Sequence, residues 1–172
     1  MTPELFQKVY PVIADWIKET LTAHSGSMRP VITAGFRRLP LYFSRDLLAS
    51  AKFVIVDRVP VPPLLSMGLS QFANFEAGDY DGITYLDTFF VRQSRITDER
   101  LYFHELIHII QWRLLGTENF LRMYAMGLED FGYRESPLEV MAYEAEDIFV
   151  NQSTAFNAED YVKNCLNKMG SV

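Results

Sequence analysis

The 172-residue chain contains a single cysteine, Cys165, and only three histidines. One cysteine excludes an intramolecular disulfide, so the composition does not indicate an oxidising compartment. The first residues lack a basic start followed by an apolar core, and no stretch approaches the ~18 consecutive apolar residues of a membrane-spanning helix. We therefore expect a soluble cytoplasmic protein that has no membrane partner.

Positive charge is also scarce, since 16 Lys and Arg residues are outnumbered by 22 Asp and Glu residues. The resulting net charge of −6 argues against nucleic acid as a partner, and Arg37-Arg38 is the only adjacent basic pair. Hydrophobic residues make up 49% of the chain, which is enough for one buried core. We expect residues 1–172 to form a single domain.

Two of the three histidines lie in the stretch His104-Glu105-Leu106-Ile107-His108. On a helix, residues four apart lie on the same face, so both imidazoles can reach one ion. Glu105 lies about 100° around the helix from His104, close enough to contact a water on that ion. The spacing predicts a zinc site in which His104 and His108 bind the metal and Glu105 is the general base of a hydrolase.

The residues around this motif predict a buried helix that starts after Thr97, as N-cap, and ends at Gly116. Most of its other residues are apolar, and burial of an unpaired carboxylate is costly unless a cation lies beside it. A metal-free alternative is that the histidines bond to backbone groups in the core. Glu105 would then form an ion pair with Arg100 or Arg113.

The remaining patterns indicate an α+β fold. Helical spacing of apolar residues covers Pro3 to about Ala23, and a run rich in β-branched and aromatic residues at 83–91 predicts one strand just before the motif helix. The other predicted elements are a short helix at 44–50, a buried strand at 52–58, and helices at 118–128 and 136–150, the last of which follows a loop at 127–133.

A hydrolytic zinc site needs a third protein ligand, which has to come from downstream of the motif. Helical geometry alone does not choose among the acidic residues there, because several flank the apolar stripe of the last predicted helix. Ser136-x-x-Glu139 is also a capping box, in which Glu139 would bond to a backbone amide instead of a metal. The candidates are Glu135, Glu139, Glu144, Glu146 and, in the preceding loop, Asp130.

The segment from Ile83 to Phe149 resembles the zincin-like metallopeptidases of gluzincin type, in which an edge strand precedes a His-Glu-x-x-His helix and a glutamate-bearing helix follows. The stretch 137–143 is similar to that glutamate helix, and the resemblance implies Glu139 as the third ligand. Gln111 and Leu114 exclude the metzincin pattern. Tyr143 stands where the best known gluzincins have Asp, so the carboxylate that supports a histidine ligand has to come from another residue.

The resemblance implies a zincin-like α+β domain, with an N-terminal helix and a small mixed or antiparallel sheet packed on the motif helix. It also implies Zn²⁺ as cofactor, a peptide or protein as substrate, and hydrolysis of peptide bonds by a zinc-activated water. The alternative is a catalytically inactive zincin-like module that binds metal and serves regulation or interaction. A metal-free structural protein is a third hypothesis.

Overall fold

The protein is described by a computed structural model for residues 1–170, which form a mixed α+β fold. Within this range, six α-helices accompany one four-stranded sheet. The elements are α1 (Pro3–Ala23), β1 (Arg29–Pro30), α2 (Arg45–Ser50), β2 (Lys52–Val56), α3 (Ala73–Glu76), β3 (Gly82–Tyr85), β4 (Thr88–Arg92), α4 (Glu99–Phe131), α5 (Pro137–Asn151) and α6 (Ala158–Lys168). None of these helices combines the length and apolarity that a bilayer crossing requires.

Three elements in the first half of the chain were predicted from the sequence. Helix α1 begins where Thr2 accepts a hydrogen bond from the amide of Leu5, and it ends at Ala23 as predicted, with Pro11 inside the helix. The predicted short helix is α2, which Ser44 caps, and the predicted buried strand is β2. These elements lie where local caps and apolar spacing agree with each other.

The sheet has the order β1-β2-β4-β3, with β2 and β4 parallel and the outer pairs antiparallel. The single strand predicted at 83–91 was wrong, because the chain reverses between Tyr85 and Thr88 to form the β3–β4 hairpin. Leu86 makes this reversal with φ 56°, a conformation that a leucine rarely adopts. The run 83–91 contains no glycine or proline that would mark the turn, and β3 becomes an edge strand of the sheet.

Helix α4 carries the motif and differs from its predicted limits at both ends. Its N-cap is Asp98 rather than Thr97, and the Asp98 carboxylate accepts hydrogen bonds from the amides of Arg100 and Leu101. Gly116, with φ 71° and ψ 167°, interrupts the helix as predicted, but a second helical segment follows directly and runs to Phe131. The loop predicted at 127–133 therefore begins only at Gly132.

Aromatic contacts hold the motif segment of α4 in the core. Phe103 stacks on Phe149 of α5 at 4.4 Å between ring centroids. Trp112 stacks at 3.8 Å on Phe120, which belongs to the segment beyond the Gly116 kink. These contacts fix α5 and the second part of α4 against the buried histidine face.

Candidate metal centre

The structure brings His104 and His108 of α4 together with Glu139 of α5. His104 Nε2 lies 3.1 Å from His108 Nε2, and Glu139 Oε2 and Oε1 lie 3.3 Å and 3.4 Å from these two nitrogens, respectively. In a tetrahedral zinc site with bonds of 2.0–2.2 Å, neighbouring ligand atoms are about 3.4 Å apart. Taking one ligand atom from each residue, all three lie within 4.8 Å of one another, so the cluster could hold one metal ion.

Hydrogen bonds on the outer side of the imidazoles set which nitrogens face this triangle. His104 Nδ1 donates to Glu146 Oε2 at 2.9 Å, and His108 Nδ1 donates to Gln111 Oε1 at 2.8 Å. The Gln111 amide nitrogen donates to the Leu138 carbonyl at 2.9 Å, so its oxygen has to face His108. In the neutral form of each imidazole the proton is thus on Nδ1, and Nε2 faces the cluster.

The cluster is buried and electron-rich. His104, His108 and Glu139 are 4%, 5% and 1% exposed. Tyr124 donates to Glu139 Oε1 at 2.7 Å, whereas Glu139 Oε2 is buried without a hydrogen-bond partner. The convergence of two imidazole nitrogens and a buried carboxylate favours the uptake of a cation, because a buried unpaired carboxylate is strongly disfavoured.

The pKa values of His104 and Glu139 also indicate that the site favours a positive charge. Burial alone lowers the pKa of His104, but the carboxylates of Glu139 and Glu146, which face its two ring nitrogens, outweigh burial and raise that pKa to about 10. Burial would also raise the pKa of Glu139, yet His108 and His104 hold it well below its usual range. The site therefore favours an added positive charge, which either a proton or a metal ion can supply.

Glu105 lies beside the cluster and is 3% exposed. Its Oε2 accepts a hydrogen bond of 2.6 Å from the hydroxyl of Thr84 on β3, and burial raises its pKa. The ion pairs of the metal-free alternative are not formed, since Arg100 pairs with Glu146 and Arg113 pairs with Asp87. Among residues 1–170, Glu105 is left as a buried carboxylate that pairs with no arginine and is bound by Thr84.

One face of α5 supplies both carboxylates that contact His104. Glu139 and Glu146 are seven residues apart, so they lie two turns apart on the same side of the helix. Glu139 lies near Nε2 of His104 and Glu146 binds Nδ1. Tyr143 lies between them, with its ring centroid 4.6 Å from that of His104. Glu146 thus provides the supporting carboxylate that is absent from position 143, and it contacts the outer side of His104 instead of the cluster.

The other acidic candidates lie elsewhere. Asp130, Glu135 and Glu144 are exposed and take no part in the cluster. The capping box at Ser136 is not formed, because its hydroxyl has no hydrogen-bond partner and the Glu139 carboxylate faces the histidines. Of the candidate ligands, the structure therefore brings only Glu139 to His104 and His108.

Two spaces adjoin the cluster. A polar cleft of about 350 Å³ lies on the side of His104, and an apolar cavity of about 90 Å³ lies on the side of His108 and Glu139. Four residues line both spaces and form the boundary between them: Tyr80, Gly82, Glu105 and Tyr133. The cluster is thus reached from a polar cleft and backed by an apolar cavity.

Three residues that hydrogen-bond to the side chains of the site were not predicted from the sequence: Gln111, Thr84 and Tyr124. Gln111 had a detectable signal, since a polar residue three positions after His108 on a buried helix lies next to it. Thr84 and Tyr124 had no such signal, because their contacts depend on the hairpin and on the Gly116 kink.

A search of family models, curated proteins and solved structures found no match to this chain.

Proposed function

We propose that the protein is a zinc-dependent peptidase of zincin-like type, with His104, His108 and Glu139 as zinc ligands and Glu105 as general base. One observation carries the proposal. Two imidazole nitrogens and an unpartnered carboxylate oxygen converge in the core, and a second buried carboxylate lies beside them. Three protein ligands leave a position for water, as in hydrolytic zinc sites.

A bound zinc ion would polarise the scissile carbonyl and lower the pKa of a water from about 15.7 toward ~7. Glu105 would accept the proton of that water and deliver it to the leaving amine. Its raised pKa suits this role, because a base that must also act as an acid works best when its pKa is near the working pH. Glu146 and Gln111 would keep both imidazoles in the tautomer that binds metal.

Strand β3 supports a peptide as the substrate. It is an edge strand of the sheet and lies against α4 at Glu105. An extended peptide can add to such an edge through backbone hydrogen bonds, which place its carbonyl groups beside the cluster. The polar cleft touches β3 at Gly82 and includes Tyr133 and Tyr143, one of which would donate a hydrogen bond to the reacting carbonyl oxygen.

The apolar cavity supports a preference among peptides. It is lined mainly by aliphatic and aromatic side chains, and it touches His108 and Glu139. A cavity of about 150 Å³ with such a lining holds benzene. The cavity of about 90 Å³ therefore suits one aliphatic side chain of the residue next to the scissile bond.

The alternative of an inactive metal-binding module is less well supported. A structural zinc site usually has four protein ligands, whereas the cluster within residues 1–170 has three. A structural site also has no use for a buried carboxylate that contacts the cleft. Glu105 is such a carboxylate.

The substitution Glu105→Gln tests the proposal, with Glu144→Gln on the exposed face of α5 as the matched control. Both proteins should retain one zinc per chain by elemental analysis. Hydrolysis of a mixed peptide pool should fall by about 10²- to 10⁴-fold in Glu105→Gln and stay unchanged in Glu144→Gln. Full hydrolysis by Glu105→Gln would show that Glu105 is not the base.

A further inference from the structure

Strand β3 contacts the candidate base through Thr84. The Thr84 hydroxyl lies 2.6 Å from Glu105 Oε2 and 3.2 Å from the Glu105 carbonyl oxygen. A hydroxyl has one proton to donate, and the shorter distance assigns it to the carboxylate. Both side chains are buried, so no solvent competes for this bond. Oε2 is thereby occupied, and Oε1 is left as the oxygen that can accept a proton.

Gly82 makes room for that oxygen. A Cβ atom at this position would lie 2.4 Å from Glu105 Oε1 and 2.9 Å from Glu105 Cδ, which is too close for real atoms. Gly82 and Thr84 are two residues apart on a strand, so they share one face. On this face, Thr84 donates a hydrogen bond to one oxygen of the Glu105 carboxylate. Gly82 leaves space beside the other oxygen because it has no side chain.

Trp112 holds β3 in this position. It lies seven residues after Glu105, on the same face of α4, and its indole N–H donates to the Thr84 carbonyl at 3.2 Å. Helix α4 thus forms hydrogen bonds with the strand through two residues, Glu105 and Trp112. The terminal torsion of a glutamate is otherwise broad, so this contact is what fixes the plane of the carboxylate.

The same residues lie on the edge of the sheet opposite β4. The amide of Arg92 donates to the carbonyl of Asp81, and backbone groups of an antiparallel strand alternate between its two sides. Gly82 and Thr84 therefore direct their N–H and C=O groups away from β4. Because Trp112 takes the Thr84 carbonyl, the groups left for an added peptide are those of Gly82 and the N–H of Thr84.

From this geometry we infer that Thr84 and Gly82 are positioning residues that orient the Glu105 carboxylate, so that the strand edge offered to the substrate also sets the base. The chemical consequence rests on the proposed peptidase function. A carboxylate displaced by about 1 Å can cost a reaction 10²-fold. Loss of the Thr84 hydroxyl should therefore slow the chemical step without weakening metal binding, since that hydroxyl bonds to Glu105 and to none of the three ligands.

The test compares Thr84→Val with Thr84→Ser, which restores the hydroxyl, and with Thr88→Val. Thr88 is a matched control, because it is also buried in the sheet but its hydroxyl faces Met28. In the zinc-loaded protein, Thr84→Val should lower kcat on a peptide by about 10- to 100-fold with little change in KM or in zinc affinity. Thr84→Ser should recover most of kcat, and Thr88→Val should match the wild type.

Crystal structures of the metal-free wild type and Thr84→Val supply a readout that does not depend on activity. The inference expects the Glu105 carboxylate to rotate away from β3 only in Thr84→Val. An unmoved carboxylate, or a Thr84→Ser protein as slow as Thr84→Val, would overturn it. If the wild type binds zinc but cleaves no peptide, the proposed function fails, and the carboxylate positions still decide the inference.

Discussion

Replacement of Gln111 by Met would remove the link between His108 and α5 at nearly constant volume. Gln111 is fully buried, and its amide accepts from His108 Nδ1 and donates to the Leu138 carbonyl. After Gln111→Met, His108 Nδ1 keeps its proton and loses its acceptor. The Leu138 carbonyl loses the hydrogen bond from Gln111. It lies in a helix, so it keeps the hydrogen bond from the backbone amide four residues later.

The expected loss can be worked out from these two bonds. A buried polar group left unsatisfied costs about 1–3 kcal/mol. The Leu138 carbonyl belongs at the low end of that range because it keeps a partner, so the free energy of unfolding should fall by about 2–4 kcal/mol without metal. Loss of an outer hydrogen bond to a ligand also weakens metal affinity by about 10- to 100-fold, equivalent to about 1.4–2.8 kcal/mol.

Urea unfolding measured with chelator and with saturating zinc separates the two contributions. The stability difference between wild type and Gln111→Met should be larger in zinc than in chelator by about 1.4–2.8 kcal/mol, because zinc stabilises the folded state in proportion to its affinity. Gln71→Met, at an exposed position, should differ from wild type by less than about 0.5 kcal/mol in both conditions. An equal difference in zinc and in chelator would refute the role of Gln111 in metal binding.

Two further substitutions test the cavity and the helix kink. Ala125→Leu places three more carbons in the apolar cavity, so cleavage of peptides with Leu or Ile beside the scissile bond should fall by about 10- to 200-fold relative to Ala peptides. The exposed Ala49→Leu should keep the wild-type preference, and a uniform loss on all peptides would contradict the cavity assignment. Gly116→Ala forces a non-glycine residue to φ 71° and ψ 167° and should cost about 1–3 kcal/mol in urea unfolding. Gly26→Ala, where no atom lies within 4 Å and φ is not positive, should cost much less, and equal costs would argue against strain at Gly116.

The local parts of the fold could be predicted because short-range chemistry fixes them. Helix α1 follows from the Thr2 cap and apolar spacing, and the pairing of His104 with His108 follows from the helical repeat. The hairpin at Leu86 could not be predicted, since a leucine at positive φ is held there by the surrounding sheet rather than by its own preference.

The completion of the site depends on contacts between elements distant in sequence. Glu139 and Glu146 had similar positions on the predicted helix, and only the packing of α5 on α4 places one at Nε2 and the other at Nδ1 of His104. The capping box at Ser136 was a reasonable alternative from sequence, because it needs only local geometry. Burial of the Glu139 carboxylate among the histidines is a tertiary property that the capping signature does not contain.

A crystal structure of the zinc-loaded protein, with anomalous data at the zinc absorption edge, tests the central claim most directly. The account predicts one anomalous peak bound by His104 Nε2, His108 Nε2 and a Glu139 oxygen, each at about 2.0–2.2 Å, with Glu146 still on His104 Nδ1. In saturating zinc, no peak among these three residues, or zinc bound elsewhere on the chain, would contradict it.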